Sequence, residues 1–213
     1  MSLQLYFLRH GQTAFSRENM FSGCGSDPEL TQAGVAMAQA FADAYRTLNW
    51  RAVYASPLKR TIATARPLCE STGTKMELRK GLEEISYGAW EGKTVEDVQR
   101  EFSDDYRNFL ADAARHAPTG GESAIALADR AMQVVDEIRT AGTDGNVLIV
   151  SHKATIRAAL CKLLGIDLGQ FRYRLDCPVA SLSVIEFTAH GPLLKHLADR
   201  AHLSEDLRNL PGT

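Results

Sequence analysis

The chain has 213 residues, 45% of them hydrophobic and 23% charged, with a formal net charge of −2. That length buries well over half of the unfolded surface without disulfide or metal staples, and it predicts one large domain or two small ones. The slightly acidic balance and the lack of a basic block argue against a nucleic-acid partner. No apolar run approaches the roughly 18 residues that span a bilayer, so no membrane partner is expected either.

The cysteines are Cys24, Cys69, Cys161 and Cys177, and no two make a C-x-x-C pair. They read as reduced thiols, which points to the cytoplasm. The amino end lacks a basic region followed by a long apolar stretch, so no signal peptide is expected.

In chain order, "LQLYFL" (3–8) is a short apolar run of strand formers and predicts a buried strand. Residues 16–30 are crowded with Gly, Ser, Asn, Asp and Pro and read as loop. Thr31 is placed to cap a helix through "QAGVAMAQAFADAYRTL". "AVYAS" (52–56) reads as a second strand, after which Pro57 opens a helix at its first turn. Pro67 is expected to kink or interrupt that helix. "KMEL" (75–78) is a short strand, 81–93 a glycine-punctuated loop, and helices follow at about 94–113 and 123–141, with Ser123 or Glu122 as cap of the second. "NVLIVSH" (146–152) is the clearest buried strand, followed by a helix that Gly165 ends. Strands at 180–187 and 191–197 form a terminal pair, and the tail after His202 is polar and reads as loose.

Strands alternating with helices predict an α/β fold of three layers, α/β/α, around a mostly parallel sheet. With no internal repeat or linker, residues 1–213 read as a single domain, with 85–125 a helical insertion or lid over one end of the sheet. In such sheets ligands bind beyond the carboxyl ends of the strands. Three strands end there in polar residues: Arg9-His10-Gly11, Ser56-Pro57 with Arg60 one turn on, and Ser151-His152. Two arginines converging on one point suit an anion with several oxygens, most economically a phosphoryl group. An imidazole beside them is unnecessary for binding alone, but it can attack phosphorus and carry the group covalently. Neighbouring guanidinium charge favours the neutral, nucleophilic ring. Glu83, Glu84 and Glu91 are candidate proton donors to the leaving group. The chain has no phosphate-loop signature, G-x-S-x-G elbow or H-E-x-x-H, and His190, His196 and His202 match no ligand spacing, so no metal and no cofactor are expected.

These residues resemble the histidine phosphatase superfamily, the phosphoglycerate mutase-like proteins. "LRHGQT" (8–13) is similar to its "RHGET" signature, and "DPELTQAGVAMAQA" (27–40) to "D-x-PLT-x-x-G-x-x-QA". "YASPLKRTIATA" (54–65) is similar to "SPLxRAxQTA", and "LEEISYGAWEG" (82–92) to "LxExxxGxWEG". "PTGGES" (118–123) resembles "PGGES", and "IVSHKATIRA" (149–158) resembles "VSHGGTIRA". The six stretches occur in family order across residues 5–158. The resemblance implies the phosphoglycerate mutase-like fold and these roles: His10 is the nucleophile through Nε2, its Nδ1–H held by a backbone carbonyl. Arg9, Arg60 and His152 bind the phosphoryl oxygens. Glu84 is the general acid, and Glu91 is structural. Thr13, Ser22, Gly23, Tyr87 and Lys153 are candidate substrate contacts. Three positions depart from the pattern: Gln12 for Glu, Ser16 for Asn, and Lys153 where Gly is common.

A phosphatase gives the phosphoryl group to water and a mutase gives it to a second hydroxyl. Mutases of this kind carry a longer insertion with a basic clamp. Here Glu84 and His152 are close in sequence, and "SDDYRNFLADAARHAP" has no Arg-Arg pair, only Arg107, Arg115 and His116 as candidates. The expectation is therefore a phosphatase acting on a small phosphorylated metabolite, with a cofactor-dependent mutase, a phosphoprotein phosphatase and a non-catalytic phosphate-binding protein as alternatives. Specificity is expected from Arg17–Ser22, the segment Tyr87–Pro118, Lys153 and "FRYR" (171–174). The "ASLSVIEF" stretch, read as an exposed edge, leaves a homodimer open.

Overall fold

Strand β1 (Leu3–Arg9) buries residues on both of its faces, and its neighbours explain why. The computed structural model describes residues 2–142 and 144–212. The sheet has six strands, β1, β2 (Trp50–Ala55), β3 (Met76–Leu78), β4 (Gly145–Ser151), β5 (Leu182–Thr188) and β6 (Gly191–Asp199), in the order β3-β2-β4-β1-β5-β6. Pairings β1–β4, β2–β4 and β2–β3 are parallel; β1–β5 and β5–β6 are antiparallel. The sheet is thus mostly parallel at its centre and closed on one side by a hairpin. β5 lies inside the sheet between β1 and β6, so the open edge on this side belongs to β6, with β3 at the other, and not, as read from sequence, to the stretch 180–187.

The helices are α1 (Ala14–Arg17), α2 (Gln32–Tyr45), α3 (Lys59–Thr72), α4 (Val95–Glu101), α5 (Ser103–Ala111), α6 (Ala124–Thr140), α7 (Lys153–Leu164), α8 (Phe171–Arg174) and α9 (Glu205–Arg208). Side chains alternate across a strand, so Leu5, Phe7, Val147 and Ile149 pack with α6 and α7 on one face. Leu8, Val53, Leu148 and Val150 pack with Phe41 of α2 and with Ala65 and Leu68 of α3 on the other. This is the three-layer α/β/α arrangement that the alternation of elements predicts. Thr31 and Ser123 cap α2 and α6 through their side chains, and Gly165, at φ +68°, ends α7.

Four local expectations are corrected. Pro57 lies outside α3, whose cap is Leu58, because the chain is still leaving the sheet at Ser56. Of the kink or interruption expected at Pro67, the interruption does not occur, since α3 runs through it. Thr61, Thr64, Ala65 and Leu68 are buried on both sides of it and hold the two halves against the sheet. The helix expected over 94–113 is two helices broken at Phe102. The tail is not loose as far as residue 212: Leu203 is buried, Ser204 caps α9, and the Pro211 carbonyl accepts from Nε2 of Gln12 at 2.6 Å.

The active-site rim follows from register. Arg9 of β1 pairs with Ser151 of β4, and Ala55 of β2 pairs with Val150. The three strands therefore end side by side, and His10, Ser56 and His152 leave them at one level. The His10 N–H donates to the Ser151 carbonyl and the Ser56 N–H to the Val150 carbonyl.

Candidate active site

Arg9, His10, Arg60, Glu84 and His152 are all buried and meet at this rim. The rings of His10 and His152 lie 5.2 Å apart, edge to face. His10 Nδ1 is 2.8 Å from the carbonyl oxygen of its neighbour Gly11. A carbonyl only accepts, so Nδ1 carries the proton and the lone pair stays on Nε2. Gly11 is itself held by its N–H donating to Oγ1 of Thr64, 3.0 Å away. A Cβ at Gly11 would sit 2.5 Å from the Gly34 carbonyl oxygen, so the first turn of α2 fixes the loop by backbone-to-backbone contact that only glycine permits. Burial, then the charges of Arg60 and Arg9, hold His10 well below the usual imidazole range. The ring is therefore neutral at neutral pH.

His152 is the N-cap of α7 and completely enclosed. Its Nδ1 accepts from Nε of Arg60 at 3.2 Å and its Nε2 lies 2.9 Å from Oγ of Ser56, which makes Nε2–H the donor to the serine. Burial first, then Arg60, pushes His152 well down as well. Arg60 comes from the first turn of α3 and is only 1% exposed. Its Nη atoms donate to the carbonyls of Ser26 and Gly23, and Asp27 stands 3.6 Å away. Arg9 donates through Nη1 to the Cys177 carbonyl at 2.8 Å.

Glu84 reaches the same space from the segment before the turn at Gly88–Trp90. Its Oε1 accepts from the N–H of Ile85, and from the N–H and hydroxyl of Thr155. Its Oε2 accepts from the Ala154 N–H. The carboxyl group is thus seated on the first turn of α7, where backbone N–H groups have no helical partner. Glu83 contributes only its carbonyl, to Arg130 and Thr155. Glu91 is buttressing: its carboxylate accepts from the N–H groups of Gly23, Gly25 and Tyr87 and from the Ser26 hydroxyl.

The cleft beside Arg9, His10 and Glu84 has a volume of about 100 Å³, and Thr13, Ser22, Tyr87 and Lys153 line it with them; Arg60 and His152 do not reach its wall in this structure. Gly23 is set back: its backbone is spent on Glu91 and Arg60. Thr13 and Ser16 form a reciprocal cap on α1, so the Ser16 hydroxyl is already used; Asn19 lines the same wall. Arg107 and Arg115 are exposed and paired with Asp104 and Asp112, and neither faces the cleft. Sequence reasoning named Ser56 only as the end of its strand and missed Thr64 and Thr155, ordinary hydroxyls with no local signal. It also missed Arg157 and Arg172 as individual wall residues. Arg157 was findable, since it lies four residues after Lys153 on the same helical face.

A three-layer α/β fold that gathers two arginines, two neutral histidines and one carboxylate at the ends of its parallel strands defines a phosphoryl-handling enzyme. The histidine phosphatase superfamily (branch 1) model matches residues 5–200, and the chain belongs to that family. Phosphoserine phosphatase 1 of Hydrogenobacter thermophilus is 30% identical over 203 residues, 95% of each chain. A glucosyl-3-phosphoglycerate phosphatase of Mycolicibacterium vanbaalenii is 32% identical over 79% of this chain and 77% of its own. Among solved structures, phosphoserine phosphatase from Entamoeba histolytica in complex with 3-phosphoglyceric acid superposes with a TM-score of 0.84 at 26% identity, covering 95% of this chain and 100% of the other. The chain is a phosphatase of this family, a phosphoric monoester hydrolase.

Proposed function

We propose that this chain hydrolyses phosphomonoesters of a small metabolite by way of a phosphohistidine on His10. The observation that carries the reading is the 2.8 Å contact between His10 Nδ1 and the Gly11 carbonyl, which turns the Nε2 lone pair toward the cleft. In the first step Glu84, which takes up a proton as the anionic ester enters beside it, gives that proton to the departing alkoxide while Nε2 attacks phosphorus and the P–O ester bond breaks. In the second, Glu84 takes a proton from water, the resulting hydroxide attacks phosphorus, the N–P bond breaks, and inorganic phosphate leaves. Arg9, Arg60 and His152 stabilise the equatorial oxygens through both steps: Arg60 turns its Nε–H from His152 to a phosphoryl oxygen, and His152 shifts to its Nδ1–H tautomer, accepting the Ser56 hydroxyl at Nε2, so that Nδ1–H donates to the same group. The small cleft supports a metabolite over a phosphoprotein. The outward pairing of Arg107 and Arg115 supports water over a second substrate hydroxyl as acceptor.

The segment 85–125, which supplies Tyr87 and Val95 to the cleft wall, is part of this proposal as a lid on a single domain. Four free cysteines support a cytoplasmic setting, and the outer edge of β6 is where a second copy would pair in a homodimer. Among the described residues no helix is long and apolar enough to cross a membrane.

The test is intact-mass analysis after brief exposure to nitrophenyl phosphate and an alkaline quench. The native protein is expected to gain one acid-labile phosphoryl group on the peptide containing His10, and His10→Ala to gain none and to lose at least ~10³-fold in turnover. Near-native turnover in that variant rules out the covalent route. Exchange between 3- and 2-phosphoglycerate primed by 2,3-bisphosphoglycerate, faster than hydrolysis, would assign a mutase instead.

A further inference from the structure

The cleft holds more positive charge than one phosphoryl group requires. Beyond Arg9 and the His10 side, its wall carries Lys153 and Arg157 from α7 and Arg172 from α8. Lys153 and Arg157 are one turn apart, so both project on the same side of α7. Glu84 is the sole carboxylate on the cleft wall among the described residues, and backbone N–H groups and Thr155 already fill its oxygens. No side chain of the described residues bonds the Lys153 ammonium. Arg157 has Asp176 at 3.6 Å, but that carboxylate side chain is 76% exposed and leaves the buried Arg157 Nε without a partner. Arg172 lies over the Phe109 ring, 5.1 Å from its centre, and its buried Nε is also without a partner. Two guanidiniums and an amine, all with unused donors, therefore share a partly buried wall with no free anion to meet them. Such an arrangement costs stability unless a ligand brings the missing charge.

We infer that Lys153, Arg157 and Arg172 form a subsite for a second anionic group on the substrate, so that the preferred phosphomonoester is one whose alcohol carries a carboxylate or a second phosphate within a few bonds of the ester oxygen. This rests on the phosphatase reading above and specifies its substrate class. The small cleft sets the short spacing, since both anions must fit around a volume of about 100 Å³. Lys153 is the specificity determinant of the three: it opens α7 directly after His152, and an uncharged residue there would leave the remaining two guanidiniums beside their own partial partners.

The test uses three esters with one carbon skeleton: propyl phosphate, 3-(phosphonooxy)propanoate and propane-1,3-diol bisphosphate. The native enzyme is expected to turn over at least one of the two anion-bearing esters with kcat/KM about 10-fold or more above that for propyl phosphate, mostly through KM. Which one responds tells carboxylate from phosphate. Lys153→Met and Arg172→Gln should each collapse that ratio toward one, and Lys153→Arg should keep most of it. Calorimetric binding of the same esters to the His10→Ala protein gives the ratio without turnover. Equal affinity for all three esters there, or a preference that survives both neutral substitutions, overturns the subsite. Failure to hydrolyse any ester while the affinity ratio holds would instead overturn the phosphatase reading and leave the subsite standing.

Discussion

The carboxylate of Glu91 accepts the backbone N–H of Gly23 at 2.9 Å, and the carbonyl of the same glycine accepts Nη2 of Arg60 at 3.0 Å. A carboxylate outside the cleft thereby sets the direction of a guanidinium inside it. Glu91 also accepts from the Ser26 hydroxyl, and the Ser26 carbonyl receives the other Nη of Arg60. Glu91→Ala should therefore loosen both carbonyls at once. The expected outcome is a loss of about 1–3 kcal/mol in urea unfolding, from several stranded buried donors, together with a fall of roughly 10–100-fold in kcat/KM as Arg60 loses its aim. Unchanged affinity for inorganic phosphate in that variant would mean that Asp27 alone suffices to hold Arg60.

Glu84 makes the second prediction. Alkyl phosphates release a strongly basic alkoxide, and nitrophenyl phosphate releases a phenolate that needs little help. Glu84→Gln should cost about 10²–10⁴-fold on propyl phosphate and much less on nitrophenyl phosphate in the burst of nitrophenol that precedes dephosphorylation. Equal losses on both would remove Glu84 from the role of acid. The glutamine has one oxygen for the Thr155 N–H and turns its NH2 toward the Ala154 N–H, so unfolding stability should also fall, by about 1–3 kcal/mol, which is small beside the catalytic loss.

How much of this was legible beforehand depends on the range of the interaction. The strands ending in Arg9-His10 and Ser151-His152 were readable because a buried parallel strand is a continuous apolar run and its end is a sharp change of chemistry. Their meeting in space was readable only as a rule about sheet ends, and the Arg9–Ser151 register is what makes it true here. Thr31, Ser123 and Gly165 act within a few residues of where they sit, and their capping roles were readable from sequence. The interruption expected at Pro67 does not occur because burial of Thr64 and Leu68, a tertiary effect, outweighs one missing hydrogen bond. The edge strand was misread because nothing in "ASLSVIEF" says that β6 folds back outside it. The choice of His10 and Glu84 over His152 and Glu83 came from family resemblance. The geometry gives a physical basis for each: Nδ1 of His10 is tied to a carbonyl while both ring nitrogens of His152 are occupied, and the side chain of Glu84 lines the cleft where Glu83 offers its backbone.

The two histidines predict an acid limit on stability. Both are held well below the ordinary imidazole range, by burial first and then by Arg60. A group whose folded pKa is depressed binds fewer protons in the native state, so stability is complete above the unfolded value near 6.5 and falls as pH drops below it. Unfolding free energy measured from pH 8 to pH 4.5 should begin to decline near pH 6.5. The decline should be shallower in His152→Asn once compared with its own value at pH 8. An unaltered slope would place the acid sensitivity in other groups. The same shifts keep the nucleophile neutral, so the phosphorylation burst with nitrophenyl phosphate should persist below pH 6.

Lys153 carries the opposite consequence, a site residue whose removal should strengthen the fold. Burial first, and then Arg9, Arg157 and Arg172, lower its pKa to about 7, with the Cys177 thiol opposing and Asp176 near the same surface hollow. Above pH 10.5 the lysine is neutral both folded and unfolded and its burial costs little. As pH falls from there toward 7 the unfolded chain takes up the proton first, so stability drops; below about 7 the full penalty is in place. Because the side chain is only partly enclosed, solvent screens much of that penalty. Lys153→Met should raise the melting temperature by about 2–6 °C at pH 6 in a buffer free of polyvalent anions, and by progressively less toward pH 10. Inorganic phosphate should narrow the difference, since it stabilises the native protein by mass action on the charged wall more than it stabilises the methionine variant. A variant less stable than the native protein at pH 6 would show that the ammonium is satisfied by the fold, and the electrostatic argument for a ligand-completed wall would fail with it.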